Sequence, residues 1–352
     1  MFYINYTNNL IAVKSTLYSK LKKALITGIT GQDGAYLGKT LLDSGYTVFG
    51  AYNINTPENF WRLDNLKITK KIKMIPIDIS DTKLIFDAIK ISDPDEVYNL
   101  AAQSSVGKSF TEPIKTLDTT GLGVARILEV IKKFNDQIKF FQASSSEIFG
   151  NTKPVTKNES TNFCPVNPYG IAKLQAYWIT KIYRDIHKLF TVNGILFNHE
   201  SPLRGLEFVT RKISNGVAKI SLGIEEELQL GNLSSKKDWG YAPEYTEGMW
   251  KMLNQEEPDD YILATNESHS IKEFVEEACE IAGISTDKIK SSKENFRLTE
   301  IPELKGDYSK SKMKINWSPK ITFKNLVKIM VEEDITRWKK FINNEKQAWD
   351  CN

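Results

Sequence analysis

Cysteine is scarce in this chain: Cys164, Cys279 and Cys351 are the only three in 352 residues, unevenly spaced and with no Cys-x-x-Cys pair. That spacing argues against a disulfide framework or a cysteine zinc site and fits a reducing compartment. Excess charge is missing as well. The 47 Lys and Arg residues nearly cancel the 44 Asp and Glu, leaving +3, so no global field draws the chain to nucleic acid or to an anionic membrane. The lysines are dispersed, as on a solvated surface. No apolar run approaches the roughly 20 residues of a membrane span. Within residues 1–22, the stretch Leu10-Ile-Ala-Val13 is too short for a signal-peptide core and lacks small-residue cleavage chemistry. Those residues read as an N-terminal extension, and the protein as cytoplasmic. Repeats, low-complexity tracts and a recognisable metal-ligand set are absent too.

What is present is alternation. Short β-rich apolar runs at Lys23–Thr27, Tyr46–Ala51, Ile72–Ile77, Glu96–Leu100, Lys139–Ala143 and Val192–Phe197 are separated by helix-period stretches. The helical stretches are Ala35–Ser44, Lys83–Ile89, Thr119–Phe134 and Tyr169–His187. This rhythm predicts an α/β fold over 23–199: a doubly wound, Rossmann-like parallel sheet with right-handed crossovers and helices on both faces. After Asn198 the rhythm breaks, leaving a helix near Val209–Leu222 and a strand at Tyr261–Thr265. Residues 200–350 are expected to form mainly a smaller C-terminal substrate-binding lobe, with segments near 229–265 returning to the sheet.

Gly28, Gly31 and Gly34 follow the first strand and precede a helix. Glycine permits a tight turn and lets backbone amides approach a pyrophosphate at the positive helix end, so the turn predicts a dinucleotide site. Asp78, after the third strand, could bond the adenine, or it could cap the next helix. The end of the second strand reads Tyr52-Asn53-Ile54-Asn55. It has neither the acid that would bond a ribose 2′-hydroxyl nor the arginine that would hold a 2′-phosphate; Arg62, further on, is the nearest cation.

Tyr-x-x-x-Lys recurs at Tyr18/Lys22, Tyr177/Lys181 and Tyr308/Lys312, but Tyr169/Lys173 follows Asn167-Pro168 at a helix start. The i,i+4 spacing puts phenol and ammonium on one face, where the ammonium is expected to lower the phenol's pKa. Ser144, Ser145 and Ser146 could bond a sugar oxygen or simply make a turn or a cap. Glu147 sits at the carboxyl edge of the sheet, where open α/β sheets bind ligands. Hydride transfer between alcohol and ketone needs only the Tyr and Lys. An added carboxylate suits removal of a proton from carbon next to a new ketone.

The stretches ALITGITGQDGAYL (24–37), VYNLAAQS (97–104), QASSSEIFG (142–150), NPYGIAKL (167–174), NGILFNHESPLRGLEFVTRKI (193–213), GNLSSKKDWGYAPEYTEGMW (231–250) and GDYSKSKMKINWSPK (306–320) carry a resemblance. From about Lys22 to Arg337 the chain resembles the extended short-chain dehydrogenases, and among them the GDP-mannose 4,6-dehydratase family. The resemblance implies C4 oxidation of GDP-mannose with Tyr169 taking the hydroxyl proton, C5 proton removal by Glu147, loss of the C6 hydroxyl as water, and hydride return to C6. The product would be GDP-4-keto-6-deoxymannose, from which GDP-fucose and GDP-rhamnose branch. Ser145, Glu147, Tyr169 and Lys173 form the implied catalytic set. Gly28, Gly31, Gln32, Asp33, Gly34, Asp78, Ile79, Leu100, Ala101, Ala102, Tyr169, Lys173 and His199 would line the cofactor, with His199 structural rather than catalytic. Ser104, Asn198, Lys212, Lys237, Arg297 and Glu300 would hold the GDP-sugar. The cofactor implied is NADP, with NAD open because Asn53 and Ile54 stand where the family carries an Arg pair. Lys237 likewise replaces an Arg, exchanging a bidentate phosphate contact for a point charge. A homodimer or homotetramer is implied, with a two-helix face from Thr119–Phe134 and Tyr169–His187. The competing expectations are dehydration of GDP-manno-heptose, 4-keto reduction or epimerisation on the same scaffold, and a non-catalytic nucleotide-binding homologue.

Overall fold

The computed structural model describes residues 21–56, 59–292 and 301–345. Chain order runs β1 (Lys23–Thr27), α1 (Gln32–Asp43), β2 (Thr47–Asn53), β3 (Lys73–Ile77), α2 (Thr82–Ser92), β4 (Glu96–Asn99), α3 (Gly123–Phe134), β5 (Lys139–Ser145), α4 (Pro168–His187) and β6 (Thr191–Leu196). It continues with α5 (Val209–Ser221), α6 (Ala242–Leu253), β7 (Asp260–Leu263), α7 (Ile271–Ala282) and α8 (Phe323–Ile342), among shorter turns and strands. The main sheet has seven strands in the order β3-β2-β1-β4-β5-β6-β7, every neighbouring pair parallel.

Strand residues alternate between two cores, as a pleat of period two requires. Ala24 and Ile26 join Ala35, Leu37 and Leu41 of α1 and Met249, Met252 and Leu253 of α6 on one face. Leu25, Val97 and Phe140 join Ile85 and Ile89 of α2, Val124, Ile127 and Ile131 of α3 and Ala176 of α4 on the other. Helix ends follow local chemistry. Asp81 caps α2 by accepting from the amides of Lys83 and Leu84, Asn167 caps α4 with Pro168 in its first turn, and Ser270 with Glu273 makes a capping box on α7. The helix expected over Thr119–Phe134 is helical throughout, opening with a π-helical turn at residues 117–122 that runs into α3.

A separate core joins Ile213 and Val217 of α5, Phe274 and Val275 of α7, and Leu326, Met330 and Val331 of α8. At its border the fully buried Arg211 guanidinium donates to Asp334 at 2.7 Å, and Ser214 donates to the same carboxylate at 2.6 Å. Segments after residue 200 do reach the main sheet, since β7 pairs with β6. Trp239–Tyr241 instead runs parallel to Asn198–Glu200, and Lys236–Lys237 pairs with Glu303–Leu304. The buried Asp238 carboxylate stitches these pieces together, accepting from the amides of Thr265, Asn266 and Gly306 at 2.8, 3.1 and 3.1 Å. Burial pushes its pKa up to about 6. Among the described residues, no helix is long and apolar enough to cross a membrane.

Candidate active site

The site forms where the carboxyl ends of β1, β4 and β5 meet the segment after β6. Thr27 Oγ1 donates to Asn99 Oδ1 at 2.6 Å, and Asn99 Nδ2 donates to Gln142 Oε1 at 2.8 Å. Three adjacent strand ends are thereby locked in register. Gly28 leaves β1 at φ +73°, and a Cβ there would stand 2.9 Å from Ala101 N. Gly34 lies in the first turn of α1, which starts at Gln32 rather than at Ala35; its Cβ would fall 2.3 Å from Gly28 O. Gly31, the cap residue, provides no side-chain acceptor for the first amides of α1. Uncapped amides over a glycine cradle suit a dinucleotide's pyrophosphate.

A cavity of about 560 Å³ runs along this turn, lined by Gly28, Gly31, Gln32, Asp33, Gly34, Asp78, Ile79, Leu100, Ala101, Ala102 and Ser104. At its outer end stand Asn53, Asn55 and Thr56. Asp78 does not cap α2. Its carboxylate accepts from Ser80 N at 2.8 Å and from Asn55 Nδ2 at 2.6 Å, and the Ser80 bonds hold its pKa below the usual value. Arg62 donates to Leu203 O at 2.7 Å and to Thr30 O at 3.2 Å.

His199 bridges the glycine turn to the strand beside Trp239. Its Nε2 lies 2.9 Å from Asp33 Oδ2, its Nδ1 lies 2.7 Å from Phe197 O, and its ring stacks on Tyr245. Both neighbours are acceptors, so the doubly protonated ring satisfies them best. Burial opposes that charge, but the Asp33 carboxylate outweighs it and raises the His199 pKa. Burial likewise opposes the Asp33 charge, and His199 overcomes it, holding Asp33 at about 2. His199 is thus a clamp between Asp33 and β6, as well as part of the cavity wall.

The next cavity, about 180 Å³, shares Asp33, Leu100, Ala102 and Ser104 with the first and adds Ser144, Ser145, Glu147, Tyr169, Lys173, Asn198 and Lys237. Ser144 and Ser145 extend β5, and Ser145 Oγ accepts from Glu147 N at 3.2 Å, so this serine is both strand end and cap. Tyr169 and Ser145 line the same cavity. The buried Lys173 Nζ donates to Ala143 O at 2.6 Å and lies 5.8 Å from the Tyr169 ring centre. The expectation of an acidified phenol is corrected here. Burial pushes Tyr169 up to about 12, and the Glu147 carboxylate adds to the rise. Burial pushes Lys173 down to about 8. Desolvation outweighs the helical spacing because neither charge is favoured away from water.

A third cavity, about 240 Å³, continues past Glu147 and is lined by Asn167, Asn198, Lys212, Gly231, Ser235, Lys237 and Trp239. This cavity brings together Asn198, Lys212 and Lys237, whereas Ser104 lines the first two cavities and does not meet Lys212. Arg297 and Glu300 lie outside the described residues. Three residues at the junction of the cavities were missed by sequence reasoning: Arg204, Glu207 and Phe208 line all or most of them, with the Arg204 guanidinium 3.6 Å over the Phe208 ring. They lay unmarked inside the 193–213 stretch. Asn167 was read only as a helix start; its side chain also donates to Glu147 Oε2 at 2.9 Å.

A parallel sheet of this order, a glycine cradle and a Ser–Glu–Tyr–Lys cluster at its carboxyl edge define an extended short-chain dehydrogenase. Residues 25–330 match the family model for GDP-mannose 4,6 dehydratase. GDP-mannose 4,6 dehydratase 1 of Arabidopsis thaliana is 44% identical over 332 residues, 91% of this chain and 92% of the relative. The Homo sapiens GDP-mannose 4,6 dehydratase is 43% identical over 338 residues, covering 89% and 91%. The chain belongs to the GDP-mannose 4,6-dehydratase family. Among solved structures, dTDP-glucose 4,6-dehydratase from Bacillus anthracis, in complex with NAD, superposes with a TM-score of 0.79 at 21% identity, over 93% of this chain and all of that one; at that identity the likeness speaks for the fold.

Proposed function

We propose that this chain is a nucleotide-sugar 4,6-dehydratase that converts GDP-mannose to GDP-4-keto-6-deoxymannose. The observation that carries the reading is the place of Glu147. It borders both the cavity holding Tyr169 and Lys173 and the cavity holding Lys212 and Lys237, so a sugar reaching from one to the other passes a carboxylate. When bound, a nicotinamide dinucleotide supplies the hydride acceptor that is restored within each turnover.

The chain's residues do the proton work. Tyr169 Oη receives the C4 hydroxyl proton once the phenol, at about 12, has passed its own proton to Lys173, which at about 8 is partly neutral and able to take it up. The resulting C4 ketone acidifies the C5–H bond. Glu147 takes that proton as the electron pair moves toward C6 and returns it to the departing C6 hydroxyl, which leaves as water. Lys212 and Lys237, with Asn198, face the diphosphate; Gly28, Gly31 and Gly34 cradle the dinucleotide. Neutral Asn53, Asn55 and Thr56 beside the Asp78 carboxylate, and an Arg62 committed to main-chain carbonyls, support NAD over the NADP that the resemblance implies.

Exposed Ile171, Trp178, Ile182 and Ile186 form a stripe along α4, with Ile114 and Leu122 nearby; this apolar face supports a homo-oligomer built through α4. The free Cys164 and Cys279 fit a reducing, cytoplasmic setting. The test is mass spectrometry of GDP-mannose incubated with the purified protein and either NAD or NADP. Loss of one water without net cofactor reduction is expected, faster with NAD. An unchanged nucleotide sugar in both tubes would overturn the assignment to GDP-mannose.

A further inference from the structure

The amide of Asn167 is divided between two tasks. Its Oδ1 accepts from Gly170 N at 2.8 Å and so caps α4, the helix that carries Tyr169 and Lys173. Its Nδ2 donates to Glu147 Oε2 at 2.9 Å. The side chain is 4% exposed; its bond to Gly170 is buried, and its bond to Glu147 is partly so. A second contact brings the same two segments together: a Cβ on Gly170 would stand 2.8 Å from Glu147 O, which only a glycine allows. From the other side, Ser145 Oγ accepts from Glu147 N. Glu147 is thus held by its amide to β5 and by its carboxylate to the start of α4.

We propose that Asn167 is a positioning residue for dehydration, holding the Glu147 carboxylate where it meets the C5 proton. The proposal rests on the reading of Glu147 as the base. A cap needs only an oxygen, and Asp, Ser and Asn serve about equally. Asn adds a donor, and a donor is what a carboxylate can use. With Oε2 held, Oε1 remains to face the substrate. The bond also ties the elimination base to the helix that bears the oxidation residues, so the two half-reactions share one frame. Misplacing a reacting group by about 1 Å costs on the order of 100-fold in rate.

The discriminating variants keep the cap and remove the donor. Asn167→Ser retains a capping hydroxyl, and Asn167→Asp retains a capping carboxylate while setting an acceptor against Glu147. Both are expected to unfold near the wild-type temperature and to bind nicotinamide dinucleotide as the wild type does. Each should lose about 10- to 100-fold in kcat for water loss with little change in KM. On mixing with GDP-mannose, reduced-nicotinamide absorbance should build up, because C4 oxidation continues while elimination lags. The double variant Glu147→Gln/Asn167→Ser should dehydrate no more slowly than Glu147→Gln alone. Dehydration by Asn167→Ser at the wild-type rate would overturn the proposal. So would an equal loss of oxidation and elimination, which marks a merely structural role, or a full additive loss in the double variant. If Glu147→Gln itself dehydrates normally, the reading of Glu147 fails instead, and the two failures are told apart.

Discussion

The Asp33–His199 pair offers a measurable coupling between the glycine turn and the strand beside Trp239. Asp33 falls from 3.8 to about 2 on folding, which at roughly 1.36 kcal/mol per unit corresponds to about 2 kcal/mol of stability. His199 supplies the largest favourable share, with Gln32 and Arg204 behind it. Because folding lowers the Asp33 pKa, its contribution is complete above the ordinary carboxylate value and disappears as pH falls toward about 2; about half remains at pH 3. Because folding raises the His199 pKa above 6.5, its contribution is complete below that value and is lost as pH climbs through the raised one. The coupling should therefore peak between about pH 5 and 6. A double-mutant cycle of Asp33→Asn and His199→Gln, read by denaturant unfolding of the protein without added cofactor, measures it. A coupling below about 0.5 kcal/mol at pH 5.5, or one no larger at pH 5.5 than at about pH 3 and pH 9, would refute the reasoning.

Glu147→Gln should abolish water loss by about 100-fold or more while leaving nicotinamide reduction detectable by absorbance; normal dehydration would remove Glu147 from the role. Gly34→Ala places a methyl 2.3 Å from Gly28 O and 2.6 Å from Ile29 Cα, both rigid backbone, so it should cost about 2 kcal/mol of stability and weaken cofactor binding, as seen by calorimetry and NADH fluorescence. Asn53→Arg should raise NADPH affinity about 10-fold relative to NADH in the same fluorescence titration, since a guanidinium would then stand at the end of β2; an unchanged ratio would place the 2′ position elsewhere. Trp178→Asp, on the exposed stripe of α4, should shift the sedimentation of an oligomer toward the monomer without loss of helix by circular dichroism.

Much of the frame was legible because it is written locally. Short apolar runs at β1, β4 and β5 and the breaks between them announced the sheet, since the strands of a parallel sheet covered on both faces are apolar almost throughout. Gly28, Gly31 and Gly34 marked the dinucleotide turn, and Asn167-Pro168 marked the start of α4. The misplaced start of α1 has a local cause as well: glycines read as turn residues also serve as cap and first-turn residues.

What only the tertiary structure decided is what depends on partners far apart in sequence or on water being absent. Helical spacing sets Tyr169 beside Lys173, but desolvation moves the two pKa values toward about 12 and about 8, and no spacing rule contains desolvation. His199 became a clamp because Asp33, 166 residues earlier, supplies a carboxylate at 2.9 Å. Lys212 and Lys237 were expected to hold the GDP-sugar through the resemblance alone; folding sets both in one cavity with Glu147. The bond from Asn167 to Glu147 joins a helix cap to a strand end across 20 residues. Sequence therefore determined which chemical groups the chain carries and which local elements present them; folding determined which of those groups meet, and in how dry a place.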